Sequence, residues 1–191
     1  LNPHFLFNSM NGIRSLIADD PDRARTAVTE LSRTLRYALR AHDEEFVPLA
    51  REFAIVDDYL ALETLRLGDR LTVQRDVAED AGQALIPAML LQTVVENAIK
   101  HGIARLPNGG TLGVSARIAD GALFVRVDNP RPVGARASSN TADEEANASG
   151  IGLSNARERL RLLLGADANI ELDLSKPDCA TARLRIPQEA A

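Results

Sequence analysis

The chain has 191 residues, enough for one domain or two small ones with a real core. Its net charge of −5, with no basic cluster, speaks against nucleic acid as a direct partner. A single cysteine, Cys179, excludes an internal disulfide and a cysteine-based zinc site, and it fits a reducing, cytoplasmic setting.

Taken in chain order, Pro3 to Ala18 reads as a helix, with Phe5, Leu6, Ile13, Leu16 and Ile17 as its apolar contacts. Asp19-Asp20-Pro21 stops it and starts another, Asp20 as N-cap and Pro21 in the first turn. That second helix carries Ala24, Ala27, Val28, Leu31, Leu35, Ala38 and Leu39 at three-and-four spacing. Two helices cannot bury such a stripe between them, so the hairpin is expected to pair with a second copy as a four-helix bundle. The polar stretch Ala41-His42-Asp43-Glu44-Glu45 marks a boundary and divides the chain into 1–45 and 46–191; His42 reads as a solvated terminal residue.

Val47 to Leu67 is again helical. The periodicity then falls to two at Leu71-Val73, Leu112–Ile118, Leu123–Val127, Ile170–Leu174 and Ala182–Ile186, as in strands covered on one face. Asp120-Gly121 joins two of them as a hairpin turn. Three amphipathic helices over about five such strands predict an α+β protein, a two-layer α/β sandwich following the helical hairpin.

Between the strands, Pro87 to Gly102 forms a helix with two arcs. Leu90, Leu91, Val94, Val95, Ala98 and Ile99 are apolar; Gln92, Thr93, Glu96, Asn97, Lys100 and His101 are polar. An amide, an imidazole and an ammonium on one arc suggest the wall of a polar site, read here as the metal- and phosphate-binding helix of an ATP site. Residues 130–149 form a lid poor in apolar material. It ends at Gly150-Ile151-Gly152-Leu153, taken as a phosphate-attracting helix start whose inner side is Leu153, Ala156, Leu160, Leu163 and Leu164. Arg159 and Arg161 read as part of a solvated face.

The order Glu96-Asn97-Ala98-Ile99-Lys100-His101-Gly102, Asp128-Asn129, a long lid and Gly150-x-Gly152 resembles the nucleotide-binding domain of histidine kinases, gyrase-type ATPases and Hsp90 chaperones, a Bergerat-type fold. Leu1-Asn2-Pro3-His4-Phe5-Leu6-Phe7-Asn8 resembles the phosphoacceptor box of LytS-type histidine kinases. Pro48-Leu49-Ala50-Arg51-Glu52, Tyr59-Leu60 and Glu63-Thr64-Leu65-Arg66 continue that pattern.

The resemblance implies a two-component transmitter that uses ATP and Mg2+, phosphorylates His4 and passes the phosphoryl group to a response-regulator aspartate. It further implies a homodimer, with no direct nucleic-acid contact. The chain lacks an initiator methionine, so we expect a cytoplasmic fragment of a protein anchored in the bacterial plasma membrane by segments not included here.

By the same resemblance Asn97 is the magnesium ligand, Lys100 neutralises phosphate, His101 lies near the sugar–phosphate portion, and Asp128, with Asn129 beside it, accepts from the adenine amine. Gly150, Gly152 and Leu153 let the lid close, with Asn155 and Arg157 nearby. Glu96 stays open between a structural carboxylate, a base acting on His4 and a metal ligand. Thr93 stands where hydrolysing relatives carry a water-activating glutamate, which favours a kinase. Pro130 and Pro132 replace the two glycines of the usual Asp-x-Gly-x-Gly turn and leave open a catalytically weak signalling module.

Overall fold

The computed structural model describes residues 3–40, 44–132 and 142–188, with only the backbone described for 142–151. Helices α1 (Pro3–Asp19) and α2 (Pro21–Arg40) form the expected hairpin. Asp20 caps α2, its Oδ1 accepting from the Arg23 amide at 3.0 Å. α3 spans Leu49–Leu67 and packs against both hairpin helices. His42 lies outside the described residues.

The buried face of α2 takes up only part of the expected apolar stripe. Ala24, Ala27, Glu30, Thr34 and Tyr37 are buried, whereas Val28 and Leu39 are exposed. Charge pairing explains the choice. The Arg23 guanidinium bonds both Glu30 carboxylate oxygens at 3.0 Å and the Ala61 carbonyl of α3 at 3.3 Å, while Arg33 bonds Asp58 of α3 at 2.7 Å.

Strands β2 (Leu71–Val77), β4 (Gly110–Ala119), β5 (Ala122–Pro130), β6 (Asn169–Asp173) and β7 (Cys179–Pro187) form one sheet in the order β2-β4-β5-β7-β6. β2 and β4 run parallel and the other neighbours antiparallel. The β4–β5 turn uses Asp120 and Gly121, both at positive φ, as a tight primed turn requires. Leu112, Val114, Ala116, Leu123, Val125, Val127, Leu184 and Ile186 are buried on the helix-facing side, and alternate residues face outward.

Two element boundaries depart from the sequence reading. Residues Leu85–Pro87 are a short strand, β3, paired antiparallel with β1 (Phe46–Pro48), and helix α4 spans Leu90–His101. Helix α5 runs from Ala142 to Leu164, so Gly150 and Gly152 lie inside it and not at its start. The stretch Ala142-Asp-Glu-Glu-Ala-Asn-Ala is rich in helix formers, which carry the helix back past two glycines that cost about 1 kcal/mol each relative to alanine. The expected lid therefore reduces to Pro130, the last residue of β5, with Arg131 and Pro132 after it, and to 133–141, which lie outside the described residues.

Candidate functional site

The site is built on α4. A helix start leaves backbone amides without acceptors, and α4 has no side-chain cap of its own. Met89, its N-cap residue, sits in the left-handed region at φ 67°. The missing acceptor comes from α3. Glu52, 0% exposed, accepts from the amides of Met89 at 2.7 Å, Leu91 at 2.9 Å and Gln92 at 3.4 Å, and also from the Tyr37 hydroxyl of α2. Burial pushes the carboxyl of Glu52 up, against the pull of these donors.

The polar arc of α4 divides between two neighbours. Gln92, expected on a polar face, is fully buried, and its side-chain amide makes no hydrogen bond among the described residues. Glu96, one turn on, is half-buried and lies within electrostatic reach of Tyr59 on α3. Burial raises the Tyr59 phenol, and the charges of Glu63 and Glu96 add to it.

The other edge of α4 meets α5. Thr93 directs its hydroxyl back to the Met89 carbonyl at 2.7 Å and its methyl towards Gly152, where a Cβ would stand 3.7 Å away. The methyl, not the hydroxyl, faces the opposing helix. A cleft of about 180 Å³ opens there, lined by Met89, Thr93, Gly152, Asn155, Ala156 and Arg159. Arg159 is no solvated surface residue. Its guanidinium lines the cleft and donates to the Ala88 carbonyl at 2.7 Å. The spacing Gly152, Asn155, Arg159 was the available signal, since i, i+3, i+7 places all three on one helix face. Arg161, paired at the surface with Glu158, fits the solvated reading.

Asn97 is half-buried, one turn beyond Thr93, and Lys100 is exposed. His101 is half-buried, its Nδ1 3.4 Å from the Arg105 guanidinium. Burial and then the charges of Arg105 and Lys100 hold its pKa below the usual 6.5, so the ring is neutral at pH 7.

The strand register separates Asp128 from Asn129. Val125 and Val127 face the helices, so Asn129 does too, and it is buried against the C-terminal end of α4. Its side chain donates to the Pro130 carbonyl at 2.9 Å and lies so close to Gly102 that a Cβ there would overlap it. Asp128 faces outward. It takes two bonds from Arg126, at 2.6 and 2.9 Å, and one from the Thr181 hydroxyl at 2.5 Å. Burial alone would raise its carboxyl, but these donors and the charges of Arg126 and Arg183 hold it below the usual carboxylate range. Period-two alternation turns Asp128 to the face opposite α4, away from the other residues expected at the site.

Leu153 is buried in the core, and Arg157 bonds the Ile170 carbonyl of β6 at 2.9 Å, away from α4. Pro130 packs on Gly110, and Arg131 is tied to the Asp178 carbonyl by its amide at 2.9 Å.

At the other end of the chain His4 is exposed near the start of α1, with the Asn8 amide 3.0 Å from its Nδ1. Phe5 is buried, its ring 4.9 Å from that of Tyr59. The start of α1 is therefore seated on α3 through this ring pair.

Residues 1–71 match the Histidine kinase family. Sensor histidine kinase YpdA of Escherichia coli (strain K12) is 36% identical over 171 residues, covering 89% of this chain and 30% of that protein. Sensor histidine kinase BtsS of the same strain is 34% identical over 187 residues, covering 98% and 32%. Sensor histidine kinase/phosphatase LytS of Staphylococcus aureus (strain Mu50 / ATCC 700699) is 31% identical over 179 residues, covering 91% and 30%. The chain belongs to the LytS-type histidine kinases. It spans about a third of the length of these relatives.

Among solved structures, Acinetobacter baumannii histidine kinase AdeS matches with a TM-score of 0.55 and 14% identity, covering 97% of this chain and 96% of that one. The catalytic domain of histidine kinase ThkA matches with a TM-score of 0.54 and 15% identity, covering 76% and 99%. At that identity the likeness establishes the fold: a helical N-terminal region followed by the α/β sandwich.

Proposed function

We propose that this chain is the transmitter of a two-component sensor kinase, transferring the γ-phosphoryl group of ATP to His4 and from there to an aspartate of a response regulator. The observation that supports the reading is the seating of the His4 box on α3, where the Phe5 ring packs 4.9 Å from that of Tyr59. Nucleotide would lie along the α5-facing edge of α4. Asn97 would hold Mg2+ by its amide oxygen, and Lys100 would meet the phosphates. Asn129, in place of Asp128, would address the base. Among the described residues no three His, Cys, Asp or Glu side chains form a metal cage. One protein oxygen with phosphate oxygens and waters is a donor set that suits Mg2+. When bound, Mg2+ neutralises phosphate charge.

The chemistry asked of the chain is mostly positioning. The Asn8 amide nitrogen lies 3.0 Å from Nδ1 of His4, and attack requires the neutral ring tautomer whose lone pair is on Nε2. The Nε2–Pγ bond forms as the bond from Pγ to the bridging oxygen breaks, and ADP leaves. Glu96 would receive the proton afterwards. Thr93, its hydroxyl already given to the Met89 carbonyl, provides no base for water. The working protein is a homodimer attached to a membrane through segments beyond this stretch; no helix among the described residues is long and apolar enough to cross a membrane.

Incubation with γ-labelled ATP and Mg2+ tests this. The label should be acid-labile and base-stable, absent in His4→Ala, and transferable to a receiver domain. Label that persists in His4→Ala would refute it. Calorimetry showing no binding of a non-hydrolysable ATP analogue would favour the weak signalling module instead.

A further inference from the structure

Glu52 lies between the two working parts of the chain and touches both. Its carboxylate is wholly buried on α3, with the Tyr37 hydroxyl of α2 on one side and the first-turn amides of α4 on the other. Tyr37 is itself buried, and the Arg51 guanidinium stands 5.4 Å from the centre of its ring. Oε1 is shared: it accepts both the Tyr37 hydroxyl and the Met89 amide, while Oε2 takes Leu91 and Gln92.

Met89 makes the arrangement costly to hold. A methionine at φ 67° is in a region that side chains with a Cβ avoid, and such residues persist where their surroundings over-determine them. Here the determining group is Glu52, since α4 brings no cap of its own. Water cannot substitute for a lost donor at a site with no exposure. Burial also pushes the Tyr37 phenol up, so the ring keeps its proton and remains a donor.

We propose that Glu52 is a positioning residue that ties the phosphoacceptor hairpin to the nucleotide helix: one carboxylate serves Tyr37 of α2 and the first turn of α4, so the seating of α2 and the order of that turn rise and fall together. The roles given to the two elements rest on the histidine-kinase reading. Through this contact a shift of α2 alters the site at α4, and by reciprocity nucleotide at α4 tightens the seating of α2.

Amide hydrogen exchange on the full chain tests the link without requiring activity. Tyr37→Phe removes one oxygen and keeps the ring. It should raise exchange at Met89, Leu91 and Gln92 by about fivefold or more, leaving the β4–β5 amides unchanged. Glu52→Gln should do the same, because an amide must turn its NH2 towards backbone donors on one side. The double variant should add little to either single change. In the same Tyr37→Phe protein, a non-hydrolysable ATP analogue with Mg2+ should bind about threefold or more weaker, although Tyr37 is on a different helix from the nucleotide site.

A folded Tyr37→Phe protein with wild-type exchange at those three amides overturns the proposal. Should Glu52→Gln fail to fold, Tyr37→Phe alone decides. Should the wild type bind no nucleotide, the kinase reading falls, and the exchange measurement still decides the link.

Discussion

Asn129 and Asp128 are neighbours with opposite surroundings, and substitutions separate their roles. Asn129 is buried beside Gly102, with a carbonyl acceptor already in place, whereas Asp128 is spent on Arg126 and Thr181. Asn129→Ala should weaken nucleotide binding by about tenfold or more, worth roughly 1.4 kcal/mol. Asp128→Asn should stay within about twofold, since the group it removes faces the other side of the sheet. Calorimetry with Mg2+ and an ATP analogue reads both, and a large loss confined to Asp128→Asn would reverse the assignment. The parity was legible in the sequence: Val125 and Val127 on the core side place Asn129 with them. The motif drew attention to Asp128 because motif matching ignores which face a strand residue occupies. Arg159 was missed for the complementary reason, an arginine on a helix being read as solvated when its partner is a carbonyl 71 residues away.

The elements themselves were largely legible where a period repeats. All five strands of the main sheet and the helical hairpin follow from alternation and three-and-four spacing. Of the two missed boundaries, the start of α5 follows from the local helix formers before Gly150, while the start of α4 depends on contacts that no local window contains. α4 starts at Leu90 because Glu52 waits for its amides, and Leu85–Pro87 pairs instead with Phe46–Pro48. The end of α4 carries its own test. A Cβ on Gly102 would overlap the Asn129 side chain and come within 2.5 Å of the Pro130 carbonyl and 2.7 Å of the Ala98 carbonyl. Two of those three groups are backbone and cannot swing away. Gly102→Ala should therefore destabilise the protein by about 1–3 kcal/mol in denaturant unfolding. It should also weaken nucleotide binding by displacing Asn129. Unchanged stability would mean that the α4–β5 junction is looser than its geometry.

At the scale of the whole molecule, the hairpin is the part least complete by itself. Among the described residues, five of the ten exposed large apolar side chains sit on α1 and α2. Phe7, Met10 and Ile17 follow one face of α1, and Val28 and Leu39 one face of α2, with Phe7 67% and Leu39 78% exposed. α2 buries Glu30 and Thr34 along with Ala24, Ala27 and Tyr37, so Val28 and Leu39 remain outside. A second copy presenting the same stripe is the occupant that the proposed homodimer supplies, and each such side chain fully covered contributes about 1.5–3 kcal/mol. Leu39→Glu would place two carboxylates in a two-fold interface, because each change appears on both sides. Sedimentation should find the parent chain dimeric and Leu39→Glu, combined with Ile17→Glu, monomeric. Nucleotide binding should survive, since both side chains are exposed on the hairpin. A double variant that remains dimeric would place the interface elsewhere. A monomer that loses nucleotide as well would mean that the seating of α2, and with it the Tyr37–Glu52 contact, depends on the second copy.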